Sequence, residues 1–270
     1  MIRNLKELYQ YRALLWALTA RELKARYRAS VLGFFWTFLN PTLNMLVYVL
    51  VFGVIMATTV ERYPFFLFCG LLPWVFFASS VMGGTTSVSD RKDLLTKVRF
   101  PAQVLPATVV ATNLVNFLLS LPLLFLLGAM YRDWPTWHLL FLVPVLVVQT
   151  FFTLGVTYLL SALNVAFRDL QHIVANLVQM LFFLTPVLWN VETIPPVKRW
   201  GLDLTAEQAR DVVLYANPMA AVMNAWRDIF YRHEVPAWQP LAAVAGISLV
   251  LMWISSGVFE RRREEFAELV

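Results

Sequence analysis

Six stretches of this chain contain no Asp, Glu, Lys or Arg, and each is long enough to cross a lipid bilayer as a helix. They cover residues 31–57, 64–88, 104–130, 139–165, 173–189 and 238–259. A helix needs about 20 apolar residues to cross the hydrocarbon layer, and only a helix or a closed barrel satisfies its own backbone hydrogen bonds there. The sequence therefore predicts an all-α integral membrane protein with six transmembrane helices.

The composition agrees with a membrane protein. Hydrophobic residues make up 59% of the chain and charged residues 14%, against about 25% charged residues in a soluble domain. The net charge is +5, but the basic residues collect beside apolar stretches, which is typical of charge that flanks a membrane. We therefore expect contact with membrane lipids and no nucleic-acid partner.

The whole chain, 1–270, is predicted to form one transmembrane domain. Residues 1–30 are an amphipathic N-terminal region, 31–190 hold spans one to five, 191–236 form an outer segment, 237–259 hold span six, and 260–270 are a cytoplasmic tail. Lysine and arginine concentrate at the N-terminus, in 91–99 and in 261–263, so the positive-inside rule places both termini in the cytoplasm. The basic and aromatic N-terminal region is predicted to lie in the membrane surface, with a cytosolic lead-in helix as the alternative.

A short charged insert separates spans two and three. It is predicted to be an amphipathic helix that ends at Pro101, with a charged face backed by two leucines that suits docking onto a soluble partner. The alternative is a solvated loop. Its candidate docking residues are Asp90, Arg91, Lys92, Asp93, Leu94, Leu95, Lys97 and Arg99.

The outer segment is predicted to contain two helices, over 204–215 with Thr205 as N-cap and over 219–231. Each has about 12 residues and is too short to cross the bilayer. They either dip into the membrane and return, or lie on its outer surface. An outer gate and a loop that merely packs on the bundle both remain open, and the candidate gate residues are Pro195, Asn217, Pro218, Trp226 and Arg227.

Several kinds of chemistry are absent from the sequence. No GxxxxGK[ST] loop is present to hold ATP phosphates. The three histidines, His138, His172 and His233, are scattered, so we expect no metal site. The spans also lack the charged groups that proton- or sodium-coupled carriers use. A polytopic glycan-transferring enzyme would have to rely on the acids of the outer segment, Asp203, Glu207, Asp211 and Asp228.

Aromatic side chains are abundant, and many lie near the predicted membrane interfaces, as expected of any membrane protein. Four lie within spans instead: Tyr48, Phe117, Phe151 and Tyr158. These four are candidates for lining a conduit in which sugar rings stack on aromatic faces.

An ordered set of short motifs resembles a known family, the membrane permeases of polysaccharide ABC exporters in the type-2 exporter class (the Wzm-like and TarG-like group). The motifs extend over nearly the whole chain. They are residues 21–28 with Ser30, Leu32, Gly33 and Trp36; Gly70-Leu71-Leu72-Pro73-Trp74; Phe100-Pro101 with Pro106; Arg168-Asp169-Leu170; Pro186 with Trp189, where the family often has tyrosine; and Asn217-Pro218 followed by Arg227.

The resemblance implies a six-span subunit that forms a homodimer and sits on two copies of a nucleotide-binding ATPase in the cytoplasmic (inner) membrane. ATP and magnesium would bind to the ATPase, and no cofactor to this chain. The N-terminal helix would lie at the cytoplasmic interface, residues 90–99 would couple to the ATPase, and residues 195–231 would form re-entrant helices at the outer mouth. The implied substrate is a polyprenyl-diphosphate-linked polysaccharide such as O-antigen, capsule or teichoic acid.

Basic residues near the predicted cytoplasmic entrance are candidates for attracting the diphosphate headgroup, namely Arg26, Arg28, Arg91 and Lys97. Attraction to membrane lipid phosphates is the alternative. Within the same transporter class, export of a small lipid or a drug also remains open.

Overall fold

The structure, a computed structural model, describes residues 7–27, 32–91, 100–199 and 202–261. Its elements are mainly helices. In chain order they are α1 (Arg12–Tyr27), α2 (Trp36–Tyr48, continued by a π-helix over Val49–Ile55), α3 (Tyr63–Thr86), α4 (Val104–Met130), α5 (Leu142–Ala166), α6 (Leu170–Leu184), β1 (Val197–Arg199), β2 (Leu202–Leu204), α7 (Ala206–Ala216), α8 (Pro218–Arg227, continued by a π-helix over Asp228–Arg232) and α9 (Trp238–Arg261). Short 3-10 turns cover Gly33–Phe35, Ser89–Arg91, Trp137–Phe141 and Val191–Thr193.

Five stretches of helix are long and apolar enough to cross a membrane. They are Trp36–Ile55, Tyr63–Thr86, Val104–Met130, Trp137–Ala166 and Trp238–Arg261. They coincide with five of the six predicted spans, with ends shifted by a few residues. The prediction of a mainly helical membrane protein with several spans is confirmed.

The predicted span over 173–189 differs, because its helix α6 has only 15 residues and ends at Leu184. Thr185 has extended backbone angles, φ −89° and ψ 139°, as expected of a residue that precedes a proline. Residues 185–190 then continue without a helix. One continuous helix through residue 189 was therefore wrong, and the count of six spans stays a prediction.

Helix α3 forms the centre of the bundle. In the most apolar stretch of 18 residues of α3, 78% of the residues are buried, against 11% in the corresponding stretch of α2. Close contact with α5 depends on Gly84, because a Cβ atom there would lie 2.0 Å from Cγ2 of Thr157. Small residues allow helices to approach in this way within membranes. The core therefore surrounds α3, and α2 lies at its edge.

Helix α1 packs beside this bundle, with Leu18 and Thr19 buried and Trp16 64% exposed. Its helical character is confirmed for residues 12–27. Its position in the membrane surface stays a prediction.

The outer segment contains both predicted helices. Thr205 and Gln208 form a capping box at the start of α7, which confirms Thr205 as the N-cap. Asn217 caps α8 by accepting hydrogen bonds from the amides of Met219 and Ala220. A small antiparallel hairpin that pairs Lys198 with Asp203 was not predicted from the sequence.

Candidate functional site

A cavity of about 310 Å³ lies among α1, α2, α3 and α4. Its walls combine apolar surface with hydroxyl and amide side chains, although all but one of its lining residues belong to helices of spanning length. The polar lining residues are Arg26, Thr37, Asn40, Ser79, Asn113, Asn116 and Ser120. Such a surface can donate hydrogen bonds to the hydroxyl groups of a ligand within the bundle and can accept hydrogen bonds from them.

The α1 end of this cavity carries the candidate entrance and docking residues that the structure describes. Arg26 lines the cavity and is exposed. Arg91, in the 3-10 turn with Asp90, forms an ion pair with Glu22 of α1. Arg28 and the docking residues Lys92, Asp93, Leu94, Leu95, Lys97 and Arg99 lie outside the described residues.

The turn that begins the docking insert is also fastened to α5. The amide nitrogen of Asn164, near the end of α5, donates a hydrogen bond to Oγ of Ser89 at 3.1 Å. Asn164 is 2% exposed. This turn therefore contacts both α1 and α5.

The four candidate conduit aromatics occupy different surroundings. Phe117 is buried and lines the cavity. Tyr48 is half-buried, with its ring centroid 5.4 Å from that of Phe182. Phe151 is 41% exposed, whereas Tyr158 is buried against Phe259. The structure does not bring these four rings together within one subunit, so their shared role stays a prediction.

Four of the five candidate gate residues belong to α8 or its cap: Asn217 and Pro218 at its start, and Trp226 and Arg227 at its end. Pro195 lies apart in an exposed loop. Trp226 is fully buried, and its indole nitrogen donates to Oε1 of Gln149 at 2.9 Å. The amide nitrogen of Gln149 donates to the carbonyl of Pro73 at 2.9 Å. This chain of hydrogen bonds joins α8 to the interiors of α5 and α3.

The neighbouring residue, Arg227, is also fully buried. Its guanidinium carbon lies 3.7 Å from the centre of the Phe66 ring. Its two Nη atoms donate to the carbonyls of Val187, at 2.8 Å, and Trp189, at 3.4 Å. Gly70 provides room, because a Cβ atom there would lie 2.9 Å from Nη2 of Arg227.

A second polar cluster joins three loops at the same end of the bundle. Asp133 pairs with both Arg62 and His233, and its side chain is 6% exposed. The other ring nitrogen of His233 lies 3.3 Å from Oγ1 of Thr136. The guanidinium of Arg62 lies 4.8 Å from the centre of the Tyr231 ring. The residues at the end of α8 and its π-helix thus contact the loop before α3 and the loop after α4.

Burial changes the titration of an acid in the outer segment. Desolvation raises the pKa of Asp228 to about 6, although Arg232 opposes the shift through its charge and its hydrogen bond. On the exposed side of the segment, a hydrogen bond to Glu192 raises the pKa of Arg210.

The acids considered for a glycan-transferring enzyme do not share one environment. Asp203 and Glu207 are exposed, whereas Asp228 is buried and paired with Arg232. Among the described residues, no group of three or more His, Cys, Asp or Glu side chains is arranged to hold a metal.

Sequence reasoning missed the partners of the α8 residues. Gln149 was visible only as a neutral polar residue within a span, and Gly70 only as part of a motif. Their contacts with Trp226 and Arg227 join residues 77 and 157 positions apart in the chain. Spacing along one sequence carries no signal for such pairs.

Comparison with known proteins identifies the family. The ABC-2 type transporter family matches residues 13–206. The chain is 56% identical over 270 residues to the O-antigen export system permease protein RfbA of Myxococcus xanthus, covering 100% of both chains. It is 29% identical to the permease of the same name from Klebsiella pneumoniae, over 95% of each chain. It is 21% identical to the polysialic acid transport protein KpsM of Escherichia coli, over 92% of this chain and 93% of the relative.

The family match covers more than half of the chain, and the similarity to the Myxococcus xanthus permease extends from end to end. Five helices of spanning length agree with a membrane permease. The chain therefore belongs to the ABC-2 type transporter family, as an integral membrane permease.

Proposed function

We propose that this chain is the membrane subunit of an ATP-driven exporter that moves a polyprenyl-diphosphate-linked polysaccharide of the O-antigen type across the cytoplasmic membrane. The observation that carries the proposal is the full-length match, at 56% identity, to a permease named for O-antigen export. A more distant relative is named for polysialic acid transport. Both names favour a polysaccharide over a small lipid or a drug.

The energy comes from a separate chain. The sequence contains no phosphate-binding loop, so ATP and magnesium bind to two copies of a partner ATPase. We assign residues 90–99 as the contact with that partner. The contacts of the adjoining turn support the assignment, because Arg91 pairs with α1 and Ser89 is held by α5.

A second copy of the chain completes the conduit. Helices α2 and α6 meet at the ring contact of Tyr48 with Phe182, and their outward sides form an apolar surface. Its large exposed members are Leu43, Leu46, Val47, Leu50, Val54, Ile173, Leu177, Met180, Phe183 and Leu184. Lipid or a protein surface must cover such a face, and we propose that the face of a second subunit covers it in a homodimer.

The cavity at the α1 end receives the substrate. Arg26 at its border attracts the diphosphate headgroup by charge-assisted hydrogen bonds, together with Arg28, Arg91 and Lys97. The hydroxyl and amide groups of the walls suit sugar hydroxyls. This assignment places α1 and both termini on the cytoplasmic side.

The outer segment closes the opposite end as a re-entrant gate. Its turn at Asn217 borders the same cavity of about 340 Å³ as Trp74, Phe77 and Phe152, which lie near the middle of their helices. Helices that lay on the surface would not reach that depth. The contact supports insertion of α7 and α8 into the outer half of the bilayer.

Reconstitution tests the function directly. The full chain and its partner ATPase in proteoliposomes are expected to move a fluorescent polyprenyl-diphosphate-linked glycan only when ATP and magnesium are present. Liposomes with the chain alone are the control. Transport of a short lipid but not of the glycan would replace the proposed substrate class, and glycan transfer by the chain alone would contradict the transport role.

The docking assignment has its own test. The double variant Arg91→Glu and Lys97→Glu is expected to lower stimulation of the partner ATPase severalfold, because it reverses charge at the contact. Arg132→Glu, an exposed change in a predicted outer loop, is the matched control. Unchanged stimulation in the double variant would remove residues 90–99 from the contact.

A further inference from the structure

Helix α6 stops before it can cross the bilayer. Its 15 residues rise about 22 Å at 1.5 Å per residue, whereas the hydrocarbon layer is about 30 Å thick. Thr185 donates the last helical hydrogen bond, to the carbonyl of Leu181, and residues 186–190 continue the path outside the helix. Their carbonyls need other donors, because lipid provides none.

Two side chains from other helices supply donors to three consecutive carbonyls of this stretch. Arg227 of α8 binds the carbonyls of Val187 and Trp189. The hydroxyl of Tyr63, in α3, donates to the carbonyl of Leu188 between them at 3.0 Å. The broken end of α6 is therefore completed by residues distant in the chain.

The surroundings of Arg227 explain why a cation is stable there. Within the described part of the chain, no Asp or Glu lies within ion-pair distance of its guanidinium. Its attractive contacts are the Phe66 ring and the carbonyls that follow the C-terminus of α6, where the helix dipole is negative. A planar guanidinium can stack on a ring and donate to two carbonyls at once, which a lysine ammonium cannot do.

The start of α8 is attached to α6 as well. The side-chain amide of Asn217 donates to Oγ1 of Thr185 at 2.8 Å. Helix α8 therefore holds the broken end of α6 at two places, Asn217 at its first turn and Arg227 at its last. One attachment would let α8 rotate relative to the end of α6, whereas two attachments fix the orientation of α8 relative to α6.

We infer that Arg227 is a positioning residue that joins the broken end of α6 to α8, so that α6 and the outer segment move as one body. The link to transport rests on the proposed function: when α6 shifts at the subunit interface, Arg227 carries α8 with it and opens the outer gate. The mechanical link itself depends only on the contacts described above.

Hydrogen exchange in lipid nanodiscs tests the link on the full chain. Arg227→Met is expected to speed amide exchange about tenfold or more in peptides that cover residues 187–190, because the carbonyls of Val187 and Trp189 lose their donor and the segment opens more often. Arg227→Lys should give a smaller increase in the same peptides. Arg232→Met is the matched control, because Arg232 binds Asp228 and Asn224 rather than the end of α6. Wild-type exchange at 187–190 in Arg227→Met would overturn the inference.

A milder pair of variants covers the case in which Arg227→Met does not fold. Gly70→Ala places a methyl group within 2.9 Å of Nη2 of Arg227, whereas Gly246→Ala meets no atom within 4 Å. Faster exchange at 187–190 is expected in Gly70→Ala and not in Gly246→Ala. Identical exchange in these two variants would also overturn the inference.

Movement as one body is tested with spin labels at Gln171 of α6, outside the proposed dimer face, and at Tyr215 of α7, both exposed. In the complex with the ATPase, the distribution of distances between the labels should not change when ATP is added to the wild type. In Arg227→Lys this distribution should be broader. A change in the wild type would contradict the inference. Failure of the wild-type complex to carry glycan would instead refute the proposed function and leave the exchange result standing.

Discussion

The two ends of the bundle use the polar groups within their helices in opposite ways. At the α8 end, in the sealed region (Trp226 and Arg227 with Gln149, Pro73 and residues 187–189), polar side chains donate hydrogen bonds to one another or to backbone carbonyls. At the α1 end, polar side chains such as Asn40 and Ser79 face a cavity of about 310 Å³. Paired polar groups fix a structure, whereas polar groups that face a cavity are available to a ligand.

Phe117 marks the boundary between these regions. It lines the cavity, and its ring meets that of Trp226 edge to face at a centroid distance of 5.2 Å. A ligand that advanced from the cavity would therefore meet Phe117 first and Trp226 behind it. The comparison teaches that polar groups face open space in the cavity wall, whereas in the sealed region they bind one another or the backbone.

The largest expected effect follows removal of the Trp226 side chain from the sealed region. Trp226→Ala should destabilise the protein by about 3 to 5 kcal/mol, because a fully buried indole leaves a cavity. Trp226→Phe keeps most of the packing and loses the hydrogen bond to Gln149, so its loss should be smaller. Melting temperatures of the two variants in detergent check the order, and a wild-type value for Trp226→Ala would show that this region is not tightly packed.

Two buried amides compare the regions most sharply. Gln149→Leu should cost about 1 to 3 kcal/mol for each group left without its partner, the indole of Trp226 and the carbonyl of Pro73. Asn113→Leu, in the cavity wall, should cost less stability and mainly lower the rate of glycan transport. Melting temperatures and transport rates are measured on both variants. Equal destabilisation would erase the distinction between the two ends.

The cluster around Asp133 should contribute less to stability than the sealed region. Asp133→Asn weakens its pairs with Arg62 and His233, and the expected loss is about 1 to 2 kcal/mol because the Arg62 side chain is partly exposed. Restoration of part of this loss by the exchange Arg62→Asp with Asp133→Arg would support a charge effect. A melting temperature unaffected by Asp133→Asn would mean that the cluster does not stabilise this end of the bundle and that the contacts of α8 do so alone.

The last expected effect depends on pH. Because the folded protein raises the pKa of Asp228 from 3.8 to about 6, it binds this proton more tightly than the unfolded chain does. Between pH 3.8 and about 6 the unfolded chain loses this proton before the folded protein does, so stability falls as the pH rises through that interval and is level above it. The melting temperature of the wild type relative to Asp228→Asn should be highest below pH 3.8, decline up to about pH 6 and stay level at neutral pH. A difference that does not vary with pH would mean that the Asp228 carboxyl is not desolvated.

Most of the helices that surround the 310 Å³ cavity can be predicted from the sequence, because they are long apolar stretches without charged residues. Pro41, Pro73 and Pro122 lie inside continuous helices, so a proline within a span does not by itself break it. Pro186 does coincide with a break, and Thr185 is extended before it. The difference lies in the neighbours, since Arg227 and Tyr63 supply donors to the carbonyls that the break exposes.

The outer segment and its contacts could be predicted only in outline. Thr205 and Asn217 are local capping signals, and both caps are present in the structure. The contacts of Trp226 with Gln149 and of Arg227 with Val187 depend on how distant helices pack. The pairing of Asp133 with Arg62 and His233 likewise joins three loops. Long-range pairs of this kind leave no periodic pattern in one sequence.

Thiol labelling in membrane vesicles tests most directly whether the cavity opens to the cytoplasm while the sealed region is inaccessible from both sides. Ser79→Cys places a thiol in the cavity wall, and Met223→Cys places one on α8, where Met223 is fully buried. The native Cys69 is buried and serves as the unlabelled background. Without nucleotide, a membrane-impermeant maleimide is expected to label Ser79→Cys from the cytoplasmic side only and Met223→Cys from neither side. Labelling of Met223→Cys from the outside, with Ser79→Cys protected, would contradict the account.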